Sequence, residues 1–377
     1  MDFSATQAQD ELSALGRRIL TDRVTADRLV ELERDGQGFD AGLWADLAAA
    51  GILGAALPDS AGGDGFGLAE QCSILAEVGR TVAPVPYLET IVLGAGAIAR
   101  FGSAGQVTRW AVPAATGRLV ITAALAEPDG DDPRAPSVRA ERTERGGRER
   151  AERAWRLRGT KTTVPAGLPA ALFLVPAATR SGTAVFCVEP ADPGVTVEPQ
   201  QLTDGAGPAQ LDLCAVELSD DRLLGAADGT VTGWLAARAT VGICALQLGV
   251  TERALELTAE YARTRQQFGR PIGAFQAVAQ RLADAYIDVE AIRLTMWQAA
   301  WRLESGLPCD EEIATAKFWA AEAGHRVAHT AVHVHGGVGI DTSHRLHRYF
   351  TAAKRNEFAL GGATAQLRRL GAALARS

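Results

Sequence analysis

The sequence predicts an α+β fold in three consecutive parts: a helical domain over residues 1–117, a β-domain over 118–225 and a helical bundle over 226–377. The first and last parts carry apolar residues at spacings of three and four, which are typical of amphipathic helices. Between them the pattern changes to short, valine-rich alternating runs, which are typical of strands. The clearest helical stripe favours long, nearly antiparallel helices, and it comprises Val278, Leu282, Ala285, Val289, Ile292, Met296, Ala299 and Leu303.

The N-terminal part is predicted to form helices that are interrupted twice. A glycine-rich loop, LPDSAGGDGFG at residues 57–67, breaks the helical pattern first, and the two prolines of Ala83–Pro86 break it again. We therefore expect several packed helices that end near Gly117.

The middle part contains the runs LVITAALA, LFLVPA, AVFCVE, GVTVE and LDLCAVEL, separated by Gly, Pro and Asp turns. These runs predict a small β-barrel or β-sandwich. Residues 129–158 differ, because they hold seven acidic residues and nine arginines with little apolar content. This charged stretch predicts a solvated, mobile loop between strands.

The stretch Tyr261–Asp284, reading YARTRQQFGRPIGAFQAVAQRLAD, places a polar and aromatic corner between two long helical patterns. Glycine and proline residues within the corner restrict its backbone. A guanidinium, an amide and an aromatic ring at such a tip suit a phosphate and a flat ring. A solvated turn between two bundle helices is the alternative interpretation. The side chains concerned are those of Arg265, Gln267, Phe268 and Arg270.

Composition excludes several classes of function. A formal net charge of −7 argues against nucleic acid as the main partner. The sequence shows no apolar run near the ~20 residues that span a bilayer, and its start reads as a polar helix rather than a signal peptide, so we expect no membrane span. The five cysteines are scattered without metal-ligand spacing, which indicates reduced thiols and a cytoplasmic location.

All six histidines lie between His325 and His347, and His325, His329 and His333 follow one another at intervals of four. Imidazoles one helical turn apart can share a metal ion. No acidic or cysteine cluster of suitable spacing accompanies them, so we predict no metal site. A polar helix face at a subunit or cofactor contact is the preferred interpretation.

Four blocks of the chain, in order, resemble the acyl-CoA dehydrogenase family of flavoproteins, and four such blocks are more specific than any one motif. They are LAAAGILGAALPDSAGGDGFGLAEQCSILAEVGR, the pair Ala126-Glu127-Pro128 and Gly159-Thr160-Lys161, the run R-x-Q-F-G-x-x-I-x-x-F-Q from Arg265, and His335-Gly336-Gly337-Val338-Gly339. The resemblance implies a helical N-terminal domain, a middle β-barrel and a C-terminal four-helix bundle. It also implies α,β-dehydrogenation of an acyl-CoA, with FAD as cofactor and an electron-transfer flavoprotein-like acceptor.

The resemblance also implies which residues contact FAD. At the AMP and pyrophosphate part they are Arg265, Gln267, Phe268, Gln276, Gly336, Gly337 and Gly339. At the isoalloxazine end, Ala126 and Pro165 stand where many members carry threonines, so backbone groups replace two side-chain hydroxyls. His333 stands where a glutamine is common. The charged stretch 129–158 acquires a second interpretation, as a basic lip for the phosphates of coenzyme A, although its mixed charges weaken such a field.

The family's catalytic base is missing from both positions where it is usually found. Aligned without a gap from Gly336-Gly337, the usual glutamate falls on Leu360, and the alternative position falls on Ala239. Glu357 lies three residues before Leu360, about 60° away around a helix, and is the candidate base within this chain. A surface glutamate is the alternative interpretation of Glu357.

Three hypotheses follow. In the first, the chain completes the flavin site of an α2β2 heterotetramer whose sister chain carries the base and whose substrates are bulky acyl-CoA thioesters such as steroid side chains. In the second, it is a self-sufficient homo-oligomeric dehydrogenase that uses Glu357 or another carboxylate. In the third, it is a non-catalytic flavin-binding or structural relative. Apolar stripes on long helices, together with a cofactor site built from two chains, predict a dimer or tetramer.

Overall fold

The computed structural model describes residues 6–35, 38–130, 132–145, 152–203 and 207–375, and their order is helices, then strands, then helices. The first helices are α1 (Gln7–Arg23), α2 (Ala26–Asp35), α3 (Ala41–Ala49), α4 (Ile52–Ala55), α5 (Leu68–Thr81), α6 (Gly96–Phe101), α7 (Ala104–Gln106) and α8 (Val112–Ala115). The strands are β1 (Ile121–Ala123), β2 (Arg139–Arg145), β3 (Glu152–Val164), β4 (Leu172–Thr179), β5 (Gly182–Val188), β6 (Val195–Pro199), β7 (Ala209–Ser219) and β8 (Leu223–Leu224). The chain continues with α9 (Thr230–Thr264), the short β9 (Gln266–Gln267) and β10 (Arg270–Pro271), α10 (Gln276–Glu304), α11 (Asp310–His335), α12 (Leu346–Phe358) and α13 (Ala363–Leu374).

The predicted helical N-terminal and C-terminal parts and the central sheet region are confirmed. By contacts the chain divides into two compact units, one comprising Met1–Val30, Leu68–Ala83 and Thr240–Ser377, and the other Glu31–Gly67 and Pro84–Ala239. Capping explains where some helices begin. Thr6 and Gln9 form a reciprocal capping box at α1, and the Asp40 side chain accepts two backbone N–H groups at the start of α3.

The sheet follows the strand order β6-β7-β3-β2-β4-β5-β8, with β1 added in parallel beside β4. Its core is formed by inward-facing side chains such as Trp155 and Phe186, whose rings meet edge to face at 5.2 Å. The expectation of a closed barrel was wrong for the described residues. β6 and β8 stand at opposite ends of the strand order and do not pair with each other there.

The charged stretch 129–158 is not the loop that its composition predicts. Residues 139–145 and 152–158 are antiparallel partners in β2 and β3, while residues 131 and 146–151 lie outside the described part of the chain. Arg142 shows how the charges are accommodated, because its guanidinium lies 4.5 Å from the Trp155 ring and pairs with Asp220. The basic-lip interpretation stays a hypothesis.

In the unit that contains the C-terminal helices, α9 packs directly against α5 because glycines stand at the contact. A Cβ atom on Gly79 would come within 2.1 Å of the Leu246 carbonyl oxygen, and one on Gly249 within 1.8 Å of the Ala76 carbonyl oxygen. A small core then joins α9 to α11 and α12; it contains Val250, Ala254, Ala328, Ala331, Leu346, Tyr349, Ala352 and Ala353. α9 is also the one helix among the described residues that is long and apolar enough to cross a membrane, yet 78% of its apolar window is buried, as in a core helix.

A buried ion pair fixes strand β3 to the segment before β2. Lys161 is fully buried, and its Nζ lies 2.6 Å from Oε1 of Glu127. The Glu127 carboxylate also accepts the backbone N–H groups of Ser137 and Val138. Burial raises the pKa of Glu127, but hydrogen bonds from Lys161 and Ser137 outweigh it and hold the pKa below its ordinary value.

We expect Glu127→Gln to lower the free energy of unfolding by about 3–5 kcal/mol, because it leaves the Lys161 ammonium buried without a counter-charge. Because the pKa of Glu127 is depressed by folding, its stabilisation is present above the ordinary glutamate range and fades as the pH falls below that range. Urea titrations at neutral and acidic pH measure both effects.

The half-exposed pair of Arg156 and Glu217 provides the matched control, and Arg156→Ala should cost no more than about 1 kcal/mol. Adding Lys161→Met to Glu127→Gln should recover part of the loss. If Glu127→Gln and Arg156→Ala lowered the free energy of unfolding equally, the burial of the Lys161–Glu127 pair would add nothing to its contribution.

Candidate functional site

A tight β-turn forms the corner between α9 and α10. β9 and β10 pair antiparallel, with Gln267 opposite Arg270, so Phe268 and Gly269 are the two central residues of the turn. Both have positive φ, 52° and 74°, as two-residue hairpin turns require. The Arg270 guanidinium lies 4.2 Å from the ring of Phe275, which anchors the corner to the start of α10.

Phe268 is unusual in both exposure and backbone conformation. Its side chain is 92% exposed, and a left-handed φ is unfavourable for a residue with a bulky side chain. Such strain persists where function requires it. Within the described residues, the one ring contact that it makes is with Phe275, edge to face at 6.1 Å.

A glycine turn ends α11 and faces the corner. Gly336 has φ 63° and ψ −140°, a combination that only glycine adopts readily. A Cβ atom on Gly336 or Gly337 would meet no atom within 4 Å, so both border open space. A Cβ on Gly339 would lie 2.9 Å from the Val332 backbone, so this glycine permits close packing instead.

A groove of about 580 Å³ lies between the corner and the glycine turn, and we call it the cofactor groove. Four predicted cofactor residues line it: Arg265, Gln267, Gly336 and Gly337. Phe268, Gln276 and Gly339 are not among its lining residues. Arg265 has no ion-pair partner in the described part of the chain, so the groove offers a guanidinium and glycine backbone to an anionic group. His333, which stands at the family's glutamine position, also lines the groove.

Sequence reasoning assigned no cofactor role to six lining residues of this groove, and three of them carry polar side chains: Tyr261, His335 and Asp341. Tyr261 stacks on the His335 ring at 4.3 Å, although the two lie 74 positions apart in the chain. The only signal in the sequence is that His335 directly precedes the glycine motif.

The residues predicted at the isoalloxazine end lie in the other compact unit. The Ala126 carbonyl accepts the Thr162 N–H at 3.0 Å, and the Pro165 carbonyl accepts the Thr122 hydroxyl at 2.6 Å. Thr163, with φ 46°, lies between them in the chain, and its N–H donates to Gln200 at 2.7 Å. Backbone groups at 126 and 163–165 are thus held by specific hydrogen bonds, and their contact with a flavin stays a prediction.

The carboxylate of Glu357, the candidate base, already contacts two side chains. Oε2 of Glu357 lies 2.6 Å from Lys354 Nζ and 3.1 Å from His325 Nδ1. Leu360 lies in the turn between α12 and α13 with φ 56°, and Ala239 is buried on α9. The assignment of Glu357 as the base stays a prediction.

The histidine series on α11 borders a second groove, of about 760 Å³, between α10 and α11. The His325 and His329 rings lie 4.3 Å apart, and burial is the main cause that lowers the pKa of His329. Nowhere in the described ranges do three or more His, Cys, Asp or Glu side chains form a group that could hold a metal ion.

Comparisons with known proteins place this geometry in context. Residues 6–118 match the family model "Acyl-CoA dehydrogenase, N-terminal domain", and residues 231–375 match "Acyl-CoA dehydrogenase, C-terminal domain". The chain is 50% identical to acyl-CoA dehydrogenase FadE27 of Mycobacterium tuberculosis, with 100% of both chains covered.

Two solved structures are similar over nearly the whole chain. A chain of the ChsE4-ChsE5 complex from Mycobacterium tuberculosis is 50% identical, with a TM-score of 0.93 and 100% of both chains covered. A chain described as a Tcur3481-Tcur3483 steroid ACAD variant is 41% identical, with a TM-score of 0.91 and 98% of both chains covered.

We expect Phe268→Asn to leave the free energy of unfolding unchanged or to raise it by up to about 1 kcal/mol. Asparagine tolerates a left-handed φ better than phenylalanine, and this gain offsets the loss of the exposed ring's edge-to-face contact with Phe275. Urea titration of both proteins measures the difference. A decrease of more than 1 kcal/mol would mean that Phe268 serves the fold.

Proposed function

Because the chain belongs to the acyl-CoA dehydrogenase family, we propose that it completes the flavin site of an α2β2 acyl-CoA dehydrogenase. Members of this family are FAD-dependent oxidoreductases. The chain supplies the groove for the AMP and pyrophosphate half of FAD, and a sister chain of the same family supplies the catalytic carboxylate. The observation that carries the proposal is a groove that brings Arg265 and the glycine turn together, in a chain with no acid at either base position.

The cofactor groove fits the diphosphate half of FAD. Arg265 brings a positive charge that forms no ion pair among the described residues, although Asp341 also lines the groove. Gly336 and Gly337 leave room for close approach of a ligand to the backbone. Phe268, in the adjoining turn, presents an exposed aromatic ring outside the groove lining. When bound, FAD accepts the hydride that leaves the β carbon of the acyl-CoA.

Proton removal from the α carbon needs a carboxylate within hydrogen-bond reach of the substrate. Leu360 and Ala239 cannot accept a proton, and the Glu357 carboxylate is held by Lys354 and His325. A base on a second chain accounts for these facts together. The similar ChsE4-ChsE5 and Tcur3481-Tcur3483 proteins, whose names each join two components, support a partner that differs from this chain.

The proposed substrate class rests on the similarity of this chain to one solved structure. One relative is described as a steroid ACAD, so we propose a bulky, steroid-type acyl-CoA thioester as the substrate of the assembled enzyme. We further propose a tetramer in the cytoplasm that acts in β-oxidation and passes electrons to an electron-transfer flavoprotein-like acceptor. Family membership also supports the domain boundaries at 117 and 225 and a four-helix bundle in the C-terminal domain.

Arg265→Ala should lower the FAD content of the purified complex, because it removes a charge-assisted contact worth about 1.5–3 kcal/mol. The ratio of absorbance at 450 nm to that at 280 nm measures flavin content, and helical circular dichroism checks the fold. Arg263→Ala is the matched control, since Arg263 is exposed on the same helix outside the groove. Unchanged flavin content in Arg265→Ala would favour the solvated-turn interpretation of the corner.

The purified chain alone should show little acyl-CoA dehydrogenation, because loss of a general base typically costs about 10²–10⁴-fold in rate. Activity should appear when the chain is co-expressed with a family member that carries a glutamate at a base position. Dye-linked oxidation of a steroid-type acyl-CoA measures both.

Glu357→Gln separates the alternatives. The proposal predicts that the complex keeps its activity in this variant. Rapid turnover by the lone chain that Glu357→Gln abolishes would instead establish the self-sufficient enzyme. Rapid turnover that this variant leaves unchanged would contradict both assignments of the base.

A further inference from the structure

His335, the last residue of α11, is held rigidly in the wall of the cofactor groove. The residue is only 5% exposed, and its ring stacks on Tyr261 of α9 with centroids 4.3 Å apart and planes inclined by 20°. Its Nδ1 lies 2.8 Å from the Ala331 carbonyl oxygen, one helical turn earlier. Stacking and hydrogen bonding together therefore fix the orientation of the imidazole.

This hydrogen bond defines the tautomer. A carbonyl oxygen can only accept, so Nδ1 must carry the proton. Burial lowers the pKa of His335, which favours the neutral ring. In a neutral imidazole with Nδ1 protonated, Nε2 is an acceptor, and no group in the described residues donates to it.

Nε2 is a hydrogen-bond acceptor, whereas the predicted cofactor residues of the groove mainly offer donors. Arg265 and the glycine backbone provide donors, which suit phosphate oxygens. Three other side chains in the groove that can accept, Gln267, His333 and Asp341, are exposed, whereas His335 is buried. Asp341 already receives the Ser343 N–H and hydroxyl on Oδ1, each at 2.8 Å. A buried, oriented acceptor next to donors calls for a ligand that carries its own donor beside its phosphates.

We propose that His335 Nε2 accepts a hydrogen bond from the adenosine of the nucleotide in the cofactor groove. The inference rests on the proposed function, and it extends that function to the nucleoside. A nucleotide's ionised phosphates have no donor, whereas its adenosine has the ribose hydroxyls and the exocyclic amine. Tyr261 acts as a positioning residue, because it holds the imidazole plane.

The proposal is tested by measuring the affinities of wild-type and variant proteins for ADP and its analogues. Isothermal titration calorimetry on the flavin-free complex gives these affinities. The ligands are ADP, inosine diphosphate, which lacks the amine, and the 2′-deoxy and 3′-deoxy forms of ADP, which each lack one hydroxyl. The protein variant is His335→Phe, which keeps a flat ring against Tyr261 but removes both nitrogens.

We expect wild type to bind one analogue about tenfold more weakly than ADP, which corresponds to one hydrogen bond. That analogue identifies the donor. We expect His335→Phe to bind ADP about tenfold more weakly and to bind ADP and that analogue equally. A purely structural role would weaken all ligands alike and preserve their ratios, and that result would overturn the inference.

His347→Phe is the matched control. His347 Nδ1 lies 2.7 Å from the His344 carbonyl, a similar local bond, but His347 does not line the groove. Its ADP affinity and ligand ratios should equal those of wild type, and a matching change there would contradict the proposal. If circular dichroism shows that His335→Phe is unfolded, His335→Leu takes its place in the same cycle.

The outcomes also distinguish a failure of the role of His335 from a failure of the proposed function. Wild type that discriminates against none of the analogues refutes the role of His335 but leaves the proposed function intact. Wild type that binds no ADP at all refutes the cofactor groove, and the inference falls with it.

Discussion

The close approach of α9 to α5 is the constraint on which the cofactor groove depends. Two glycines, Gly79 and Gly249, allow backbone to meet backbone at this crossing. The alanine-rich core between α9, α11 and α12 then fixes the relative positions of these helices. Because Tyr261 and Arg265 project from the end of α9, and the glycine turn follows the end of α11, helix packing determines the width of the groove. The groove is therefore a property of the packed unit rather than of a flexible loop.

The sequence predicted the features whose signal is local. Helical periodicity placed α10, and the glycine and proline residues around Phe268 predicted a rigid corner. The charged strands were missed, because only a few small or apolar residues, such as Ala140 and Leu157, face inward among many charges. Barrel closure depends on which edges pair, and the role of His335 in the groove wall depends on its stack on Tyr261. Both are long-range contacts that periodicity cannot reveal.

Binding and proton transfer make different demands on a protein, and the proposed function divides them between two chains. Binding a diphosphate needs a cation and accessible backbone, which Arg265 and Gly336 provide. Proton transfer needs one correctly placed carboxylate, and Leu360 offers none. The turn at Leu360 is nevertheless firmly built, since the Gln366 amide donates to the carbonyls of Leu360 and Gly361 and holds a left-handed backbone in place. Under the proposed function, this position lacks the carboxylate that the sister chain supplies, while the turn itself is retained.

The unclosed sheet has a consequence for assembly. Open strand edges invite pairing with another chain, and proteins avoid this with short edge strands, prolines and charges. β8 has only two residues, and β6 has five and ends at Pro199, which has no N–H to donate. Neither edge is a good template for strand addition from a neighbouring molecule. These two described edges are thereby protected from edge-to-edge pairing.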